Sequence, residues 1–249
     1  MLESSYSFIN TSGEKMQNDK KIGKAVALVS GGLDSCVTAA VAARDHHLAL
    51  LHVDYGQKTE ARERKSFNNI AQFYGAGEKR IVNARFIGDI GGSSLTEPDK
   101  NIPALREALK DGKIPSTYVP FRNAVFLSIA VAWAEVLEAT SVYIGAVQSD
   151  RPGYPDCREE FLAAFNRVVR LGIRPESHIQ IVAPLLHSSK KDIVLKGVEL
   201  GAPLHQTWSC YGEQEIACGC CESCALRRQA FAEAGIQDPV PYADLEAGR

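Results

Sequence analysis

The sequence predicts an α/β protein, a doubly wound parallel sheet followed by a small cysteine-rich module at the C-terminus. Two observations support this prediction. Short apolar runs alternate with longer segments of helical period up to Gly201, and strands that alternate with helices form βα units with parallel strands. After Gly201 the alternation stops, and five of the seven cysteines fall between Cys210 and Cys224.

The elements follow in order along the chain. The apolar runs predict strands at residues 25–29, 48–53, 80–82, 141–145 and 179–182. The segments between them predict helices at residues 35–44, 59–74, 124–137, 159–171 and 190–200. Residues 87–120 are rich in Gly, Pro and Ser, which predicts a loop with a helical piece at residues 104–110. We expect a flexible tail at 1–21, a main domain at 22–200 and a C-terminal module and tail at 201–249.

The composition indicates a soluble globular protein, with 28 basic and 30 acidic side chains among 249 residues. Proteins that bind a nucleic-acid backbone usually carry a basic excess, so we expect a small-molecule partner and no direct nucleic-acid binding. No apolar run approaches the ~20 residues that cross a bilayer, and the polar N-terminus lacks a secretory core. We therefore expect no membrane partner and a cytoplasmic location, where clustered cysteines indicate a metal rather than disulfides.

The strongest functional signal is the segment Ser-Gly-Gly-Leu-Asp-Ser at residues 30–35, which follows the first predicted strand. Ligands of parallel sheets bind beyond the carboxyl ends of the strands. Two glycines let the backbone approach an anion, the following helix offers N–H groups, and the serines add hydroxyl donors. Asp34 beside phosphates is consistent with Mg²⁺ or with backbone capping. A plain glycine turn before an N-capped helix is the competing interpretation, and the segment is neither a Walker A loop nor a dinucleotide fingerprint.

This hexapeptide resembles the pyrophosphate loop of the PP-loop ATP-pyrophosphatases, which have an adenine-nucleotide alpha-hydrolase-like, Rossmann-like fold. They cleave ATP between the α- and β-phosphates to give an adenylated substrate and pyrophosphate. Four more segments make the chain similar to the QueC family of 7-cyano-7-deazaguanine synthases, namely HVDYGQ at 52–57, VPFRN at 119–123, GYPDCR at 153–158 and TWSCY at 207–211. The resemblance implies a ligase that converts 7-carboxy-7-deazaguanine and ammonia to the nitrile, through an amide, for queuosine or archaeosine biosynthesis. It also implies a homodimer.

The resemblance implies a set of site residues. The implied ATP site consists of Leu28, Ser30, Gly31, Gly32, Leu33, Asp34, Ser35, His52, Asp54 and Gln57. The implied substrate contacts are Arg122, Asn123, Tyr154, Asp156 and Trp208. The implied catalytic residues are Asp34, Ser35, Arg122 and Lys190, with Mg²⁺ near Asp34.

Several of these residues have a second interpretation. Lys190 matches a phosphate-binding lysine of the family, but it could be a solvated charge on a helix, with Lys191 as the true contact. Arg122 suits a carboxylate or a phosphate, but it could form a surface ion pair. Asp156 could accept hydrogen bonds from a guanine-like ring or could be a turn residue. His52 could be a core histidine, and we expect no catalytic role for it.

The cysteines at 210, 218, 221 and 224 have the spacing C-x7-C-x2-C-x2-C. Four thiolates match tetrahedral Zn²⁺ in a structural site, and the QueC family has four zinc cysteines at this spacing. We therefore expect Cys210, Cys218, Cys221 and Cys224 to bind zinc and to place Trp208 near the substrate. Cys220 could replace Cys221, and an iron–sulfur cluster is the rival centre.

Two positions depart from the family pattern. Phe121 stands where the family motif VPGRN has glycine, and Asp150-Arg151-Pro152-Gly153 replaces an Asp-aromatic-Ser-Gly run. Both lie beside the expected substrate pocket. They leave open the hypothesis that the chain is a diverged relative of the family. Such an enzyme would stop at the amide or would transfer the acyl group to another amine, such as one on a protein. A zinc-ribbon nucleic-acid-binding module and a tRNA-thiolating PP-loop enzyme are two further hypotheses.

Overall fold

A single parallel sheet organises the computed structural model, which describes residues 21–102, 114–148, 153–212 and 215–243. Within these ranges the sheet has five strands in the order β3-β2-β1-β4-β5. The strands are β1 (Lys24–Leu28), β2 (His47–Asp54), β3 (Glu78–Asn83), β4 (Ser141–Tyr143) and β5 (Gln180–Val182). The predicted tail at 1–21 (except Lys21), the helical piece at 104–110 and the Arg151-Pro152 departure lie outside the described residues.

Helices cover both faces of this sheet. In the described ranges they are α1 (Leu33–Asp45), α2 (Glu60–Phe73), α3 (Phe86–Ile90), α4 (Arg122–Val136), α5 (Glu159–Gly172), α6 (Lys190–Glu199) and α7 (Glu222–Glu233). Short 3₁₀ turns occur at Pro155–Cys157 and Leu204–Gln206. None of the described helices combines the length and the apolar character that a membrane span requires. The predicted doubly wound α/β architecture is confirmed.

The two faces of the sheet pack against different helices. Successive residues from Ala25 to Val29 point to opposite faces of the sheet. Val26 and Leu28 belong to the core on one face, and Ala25, Ala27 and Val29 belong to the core on the other. The first core is closed by α4 and α5, and the second by α1 and α2. A strand that is buried on both faces needs an uninterrupted apolar run, which is the pattern that predicted β1.

A third core joins the C-terminal segment to the sheet layer. It contains Leu33 and Val37 of α1, Ile193 and Val194 of α6, and Phe231 of α7. Helix α7 therefore packs on α6, which in turn packs on α1, the helix that follows β1. The division into a main domain at 22–200 and a module at 201–249 stays a prediction, and the two segments share this core.

The order of the strands reverses between β1 and β4, which makes this edge the topological switch point where ligands of such folds bind. Gly145 lies just after β4, and a Cβ atom there would be 3.0 Å from the Ser35 nitrogen and 3.1 Å from the Asp34 carbonyl carbon. The chain leaving β4 thus touches the chain leaving β1. A side chain at this position would push the two segments of backbone apart by a few tenths of an ångström, so glycine suits the close approach.

The element boundaries differ from the predictions mainly at short or irregular segments. Strand β4 ends at Tyr143 rather than at residue 145, although the Ile144 N–H still donates to the Val182 carbonyl (3.0 Å). Helix α3 lies at the start of a region whose composition predicts a loop. Helix α7 is absent from the predicted elements, because the cysteine spacing indicates metal-binding loops and hides the helical period.

Phe121, the residue just before α4, has a left-handed backbone with φ 58° and ψ 20°. This conformation explains why the family motif has glycine here, since a Cβ atom makes it unfavourable by about 1–2 kcal/mol. The Phe121 side chain is 62% exposed, and its ring centre lies 6.1 Å from that of Phe161. Phe121 therefore carries backbone strain, and its effect on the substrate pocket stays a prediction.

Replacing Phe121 with glycine should stabilise the protein. Relief of the left-handed strain should raise the free energy of unfolding by about 1 kcal/mol, which corresponds to an increase of roughly 2–4 °C in the melting temperature of a chain of this size. Thermal unfolding followed by circular dichroism measures the change. Arg167→Gly, at an exposed position in the middle of α5, is the control and should lower stability by about 1 kcal/mol. An unchanged or lower melting temperature for Phe121→Gly would contradict the strain.

Candidate active site and metal centre

The segment at residues 30–35, called the SGGLDS loop below, connects β1 to α1. The Ser35 hydroxyl donates to the Gly32 carbonyl (3.0 Å) and lies 3.2 Å from the Ser30 hydroxyl. The Gly32 N–H donates to the Ser30 hydroxyl oxygen (3.3 Å). Within the described residues no side chain caps the N-terminus of α1. The first N–H groups of the helix are therefore available to an anion such as a phosphate.

Buried leucines fix both ends of the SGGLDS loop. Leu28, the last residue of β1, packs in the core closed by α4 and α5. Leu33, the first residue of α1, packs in the core shared with α6 and α7. Their side chains are thus anchors, and any contact with a nucleotide would come from the neighbouring backbone.

Asp34 and Lys190 meet at the N-terminus of α1. The Lys190 ammonium donates to Asp34 Oδ2 at 2.5 Å, although 156 residues separate the two in sequence. The other carboxylate oxygen, Asp34 Oδ1, has no hydrogen-bond partner within the described residues. Lys190 begins α6, whose N-terminus is fixed by a capping box between Ser189 and Asp192. The structure thus places Lys190 at the SGGLDS loop.

His52 and Asp54 lie beneath the loop, at the carboxyl end of β2. The His52 Nδ1–H donates to the Val29 carbonyl (2.9 Å), and Nε2 lies 3.2 Å from Asp54 Oδ1. Arg64 of α2 pairs with the second Asp54 oxygen at 2.5 Å. Burial acts to raise the pKa of Asp54, but His52 and Arg64 outweigh it and lower the pKa. Both side chains are buried and engaged with protein groups.

Gln57 is buried on the same side of the site. Its Oε1 accepts from the Tyr55 N–H (2.8 Å), and its Nε2 donates to Glu63 Oε2 (3.1 Å). Burial raises the pKa of Glu63, against the hydrogen bonds from Thr59 and Gln57. Gln57 thus fixes the turn after β2 against α2.

Arg122, the first residue of α4, is held by the tyrosine that follows β2. Its Nη1 donates to the Tyr55 hydroxyl (2.9 Å), and its guanidinium carbon lies 5.1 Å from the centre of the Tyr55 ring. Burial acts to lower the pKa of Arg122, but the nearby Tyr55, Tyr154 and Asp156 outweigh it and raise the pKa. The guanidinium is therefore a fixed positive charge within the site and not part of a surface ion pair.

Asn123, Tyr154 and Asp156 cluster next to Arg122. The Asn123 N–H donates to Asp156 Oδ2 (2.8 Å), and the Asn123 amide donates to the Asp156 carbonyl (3.3 Å). The Tyr154 and Thr117 hydroxyls are 2.9 Å apart. Asp156 is 3% exposed, burial raises its pKa, and its Oδ1 has no partner within the described residues. A buried carboxylate oxygen without a partner is an acceptor that suits a ligand N–H.

The SGGLDS loop and the Arg122 cluster, defined as Tyr55, Arg122, Asn123, Tyr154 and Asp156, are neighbours. The loop follows β1 and Tyr55 follows β2, and these parallel strands are adjacent, so both parts lie at the carboxyl ends of neighbouring strands. Cys157 belongs to the second part, where the Asn123 amide donates to its sulfur (3.1 Å), and burial raises the pKa of its thiol to about 11. A thiol with such a pKa is protonated at neutral pH, so it does not suit a nucleophile. The two parts of the site therefore share one edge of the sheet.

Trp208 lies on the SGGLDS loop. The backbone N–H of Trp208 donates to the Gly31 carbonyl (2.8 Å). The guanidinium carbon of Arg62 lies 4.0 Å from the centre of the Trp208 ring. The family resemblance implies a substrate contact for Trp208. The partners that the structure shows belong to the loop and to α2, while the indole Nε1 has no hydrogen-bond partner within the described residues, and the substrate contact stays a prediction.

Four thiols converge where the cysteine spacing predicts a metal centre, and they could hold a metal ion. The sulfur atoms of Cys210, Cys218, Cys221 and Cys224 all lie within 4.8 Å of one another, whereas the exposed Cys220 is not part of the group. Backbone N–H groups point at the sulfurs, for example those of Gly212 (3.3 Å) and Cys218 (3.4 Å) at Cys210 Sγ. Converging thiols with N–H donors around them fit a tetrahedral metal with a closed shell.

Some contacts could not be identified from sequence patterns. Tyr55 lies inside the HVDYGQ segment, but nothing in the sequence indicates that its hydroxyl binds Arg122. Glu63 and Arg62 stand on a charged helix face that resembles an ordinary solvent-exposed surface. Their partners come from segments distant along the chain, so only the fold reveals them.

Comparisons with known proteins agree with this geometry. Residues 24–235 match the family model described as queuosine biosynthesis protein QueC. A protein of Chlorobium chlorochromatii named 7-cyano-7-deazaguanine synthase is 52% identical over 220 residues, which are 88% of this chain and 96% of that protein. A protein of the same name from Chlorobaculum parvum is 53% identical over 222 residues, with the same coverage of both chains.

Substitution of single cysteines should separate ligand from bystander. Cys221→Ser should lose the bound metal, because a hydroxyl replaces one of four thiolates. Cys220→Ser, the matched control, should keep it. Inductively coupled plasma mass spectrometry of the purified proteins measures the metal content and identifies the element. Metal loss in Cys220→Ser with retention in Cys221→Ser would contradict the assignment. Iron found together with sulfide would identify the centre as an iron–sulfur cluster rather than a zinc site.

Proposed function

The chain belongs to the QueC family, and on this basis we propose that it converts 7-carboxy-7-deazaguanine and ammonia to 7-cyano-7-deazaguanine with ATP as the activating substrate. The observation that supports this best is the meeting of two unlike sites at one sheet edge. One is the SGGLDS loop, which suits phosphates, and the other is the Arg122 cluster, which suits a guanine-like acid. A reaction that joins a phosphate to a carboxylate needs both to be adjacent.

ATP would place its β- and γ-phosphates on the SGGLDS loop. The uncapped N–H groups of α1 and the Ser30 hydroxyl are donors for phosphate oxygens, and the Ser35 hydroxyl would join them by turning away from the Gly32 carbonyl. Lys190 adds a positive charge at the same point. Asp34 Oδ1, without a partner in the described part of the chain, fits an oxygen ligand of Mg²⁺, which would neutralise phosphate charge. These features support Asp34, Ser35 and Lys190 as the residues that position pyrophosphate as a leaving group.

The carboxylated deazaguanine would bind at the Arg122 cluster. The free oxygen of Asp156 would accept from ring N–H groups, as a guanine edge offers adjacent donors. Arg122, preorganised by the Tyr55 hydroxyl, would attract the carboxylate and hold it for attack. Tyr154 and Asn123 would complete the pocket. Because the partners of Arg122 and Asp156 are already in place, little reorganisation is needed at the moment of reaction.

The chemistry then proceeds in two activation steps. A carboxylate oxygen attacks the α-phosphorus of ATP, pyrophosphate leaves, and ammonia displaces AMP from the acyl-adenylate to give the amide. The amide oxygen is adenylated in turn, and loss of AMP and the remaining N–H proton gives the nitrile. No covalent enzyme nucleophile is required, in agreement with the protonated state of Cys157. Catalysis rests on positioning and charge neutralisation.

The cysteine centre would hold zinc in a structural role. All four ligands would come from protein sulfur, which leaves no open position for substrate. A tRNA-thiolating reaction would need a free reactive cysteine pair. Outside the metal cluster, Cys36 is buried, Cys157 is engaged with Asn123, and Cys220 is exposed on the metal loop. The cytoplasmic location and the homodimer stay predictions.

Mass spectrometry of a reaction mixture tests the proposed product. The full-length protein with ATP, Mg²⁺, 7-carboxy-7-deazaguanine and ammonia should give the nitrile, together with AMP and pyrophosphate. Omission of ATP is the control and should leave the acid unchanged. Accumulation of the amide as the final product, or a mass increase on a protein, would favour the diverged relatives. Salt-sensitive RNA binding without ATP turnover would favour a nucleic-acid-binding module.

Asp34→Ala should abolish ATP–pyrophosphate exchange while the protein remains folded. The carboxylate is removed from the phosphate site, and loss of a charge positioned for the transition state commonly reduces rates by about 10²–10³-fold. Asp45→Ala is the matched control, because Asp45 is an exposed aspartate at the opposite end of α1. Exchange at the wild-type rate in Asp34→Ala would remove Asp34 from the mechanism.

A further inference from the structure

The SGGLDS loop is held between two distant parts of the chain at Gly31. On one side the backbone N–H of Trp208 donates to the Gly31 carbonyl (2.8 Å). On the other side a Cβ atom at Gly31, whose φ is +91°, would lie 2.7 Å from the Glu63 carbonyl oxygen and 2.9 Å from Ser66 Cβ. The peptide at Gly31 is therefore packed against α2 and bonded to the C-terminal segment.

Trp208 itself is fixed in this position. The side chain is buried under the Arg62 guanidinium, whose central carbon is 4.0 Å from the ring centre. Arg62 also donates to the Glu215 carboxylate (3.1 Å) and to the Glu215 carbonyl (3.2 Å). Cation–π stacking and these hydrogen bonds restrict the ring, but they act on the side chain and not on the backbone N–H that reaches Gly31.

The backbone on both sides of Trp208 is held by one buried arginine of α7. Arg227 Nη1 donates to the Thr207 hydroxyl (2.6 Å) and to the Ser209 hydroxyl (3.3 Å), and Nη2 donates to the Leu204 carbonyl (3.2 Å). Thr207 and Ser209 flank Trp208 in sequence. A planar guanidinium reaches all these acceptors at once, whereas an ammonium cannot match its fork geometry.

A carboxylate neutralises this buried charge. Asp238 accepts from Arg227 Nε (2.9 Å) and Nη2 (3.0 Å) in a bidentate pair, and both side chains are almost fully buried. Asp238 also accepts from the Tyr242 hydroxyl (2.6 Å) and from the Val240 N–H (3.0 Å). The five N–H groups of Arg227 thus all have acceptors, and the guanidinium has one fixed orientation.

We propose that Arg227 is a positioning residue for ATP, because it fixes the Thr207–Ser209 backbone so that Trp208 holds the Gly31 carbonyl and the SGGLDS loop keeps its N–H groups directed toward phosphate. This inference rests on the proposed role of the loop as the phosphate site. Arg227 does not act on the reacting atoms. It lies one helical turn after Cys224, so the helix that carries a metal ligand also carries the residue that supports the loop.

Arg227→Lys in the full-length protein tests this role. Lysine keeps the charge opposite Asp238 but loses most of the fork. We expect faster amide hydrogen exchange at residues 31–35 and a Michaelis constant for ATP that rises on the order of tenfold, the scale of a lost hydrogen bond to a charged group. The Michaelis constant for 7-carboxy-7-deazaguanine should not change, because Arg227 makes no contact with the Arg122 cluster in the described part of the chain. Arg170→Lys, the same substitution at an exposed arginine of α5, should leave all three values unchanged.

Wild-type exchange at residues 31–35 and a wild-type Michaelis constant for ATP in Arg227→Lys would overturn the inference. So would a uniform increase in exchange with both Michaelis constants raised, since that reports general destabilisation. If Arg227→Lys does not fold, Thr207→Val removes one acceptor with little change in volume and should show the same selective effect, weaker in size. Selective loosening of the loop in a protein that never turns over ATP would support the positioning and reject the proposed function.

Discussion

Gly31 lies where α2, the C-terminal segment and the exit from β1 meet, and the rest of the site depends on the absence of a side chain there. With a Cβ atom 2.7 Å from the Glu63 carbonyl, either α2 or the loop would have to move. Movement of α2 would carry Arg64 away from Asp54, and movement of the loop would break the hydrogen bond from Trp208. The φ of +91° favours glycine independently of the lack of space. Two requirements therefore converge on one residue.

Charged side chains lie beneath the SGGLDS loop, which contains Gly31, as well as in the loop itself and in the Arg122 cluster. Below the loop, His52 bonds the Val29 carbonyl and faces Asp54, which Arg64 pairs from the side of α2. These groups close the end of the strand, and His52 Nε2 and Asp54 Oδ1 lie 3.2 Å apart without a hydrogen bond between them. Asp34 and Asp156 also each keep a carboxylate oxygen without a partner in the described residues. Those two acceptors belong to the SGGLDS loop and to the Arg122 cluster, the parts of the site that would bind ligands.

The fold could be predicted from the sequence because its signals are local. The apolar run of β1 and the glycines at the loop follow from their own neighbours, and the structure confirms the parallel sheet. The pairing of Lys190 with Asp34 joins residues 156 apart, and the family resemblance had suggested only that Lys190 binds phosphate. Arg227 gave no signal at all, because an arginine in a polar helix has the same pattern whether it is exposed or buried. Helix α7 was hidden for a related reason, since cysteine spacing and helical period compete in one short segment.

The departure at Phe121 has a structural consequence that its place in the sequence does not reveal, while its effect on the substrate pocket stays a prediction. In the sequence it lies beside Arg122 and Asn123, which suggested an altered substrate pocket. In the structure the ring is largely exposed and contacts Phe161, while the backbone takes the left-handed conformation that the family glycine would adopt. Helix α4 begins immediately after it, and Arg122 still reaches Tyr55 while Asn123 still reaches Asp156. The cost is therefore stored in the backbone before the helix, and the residues that would bind the carboxylate and the ring keep their partners.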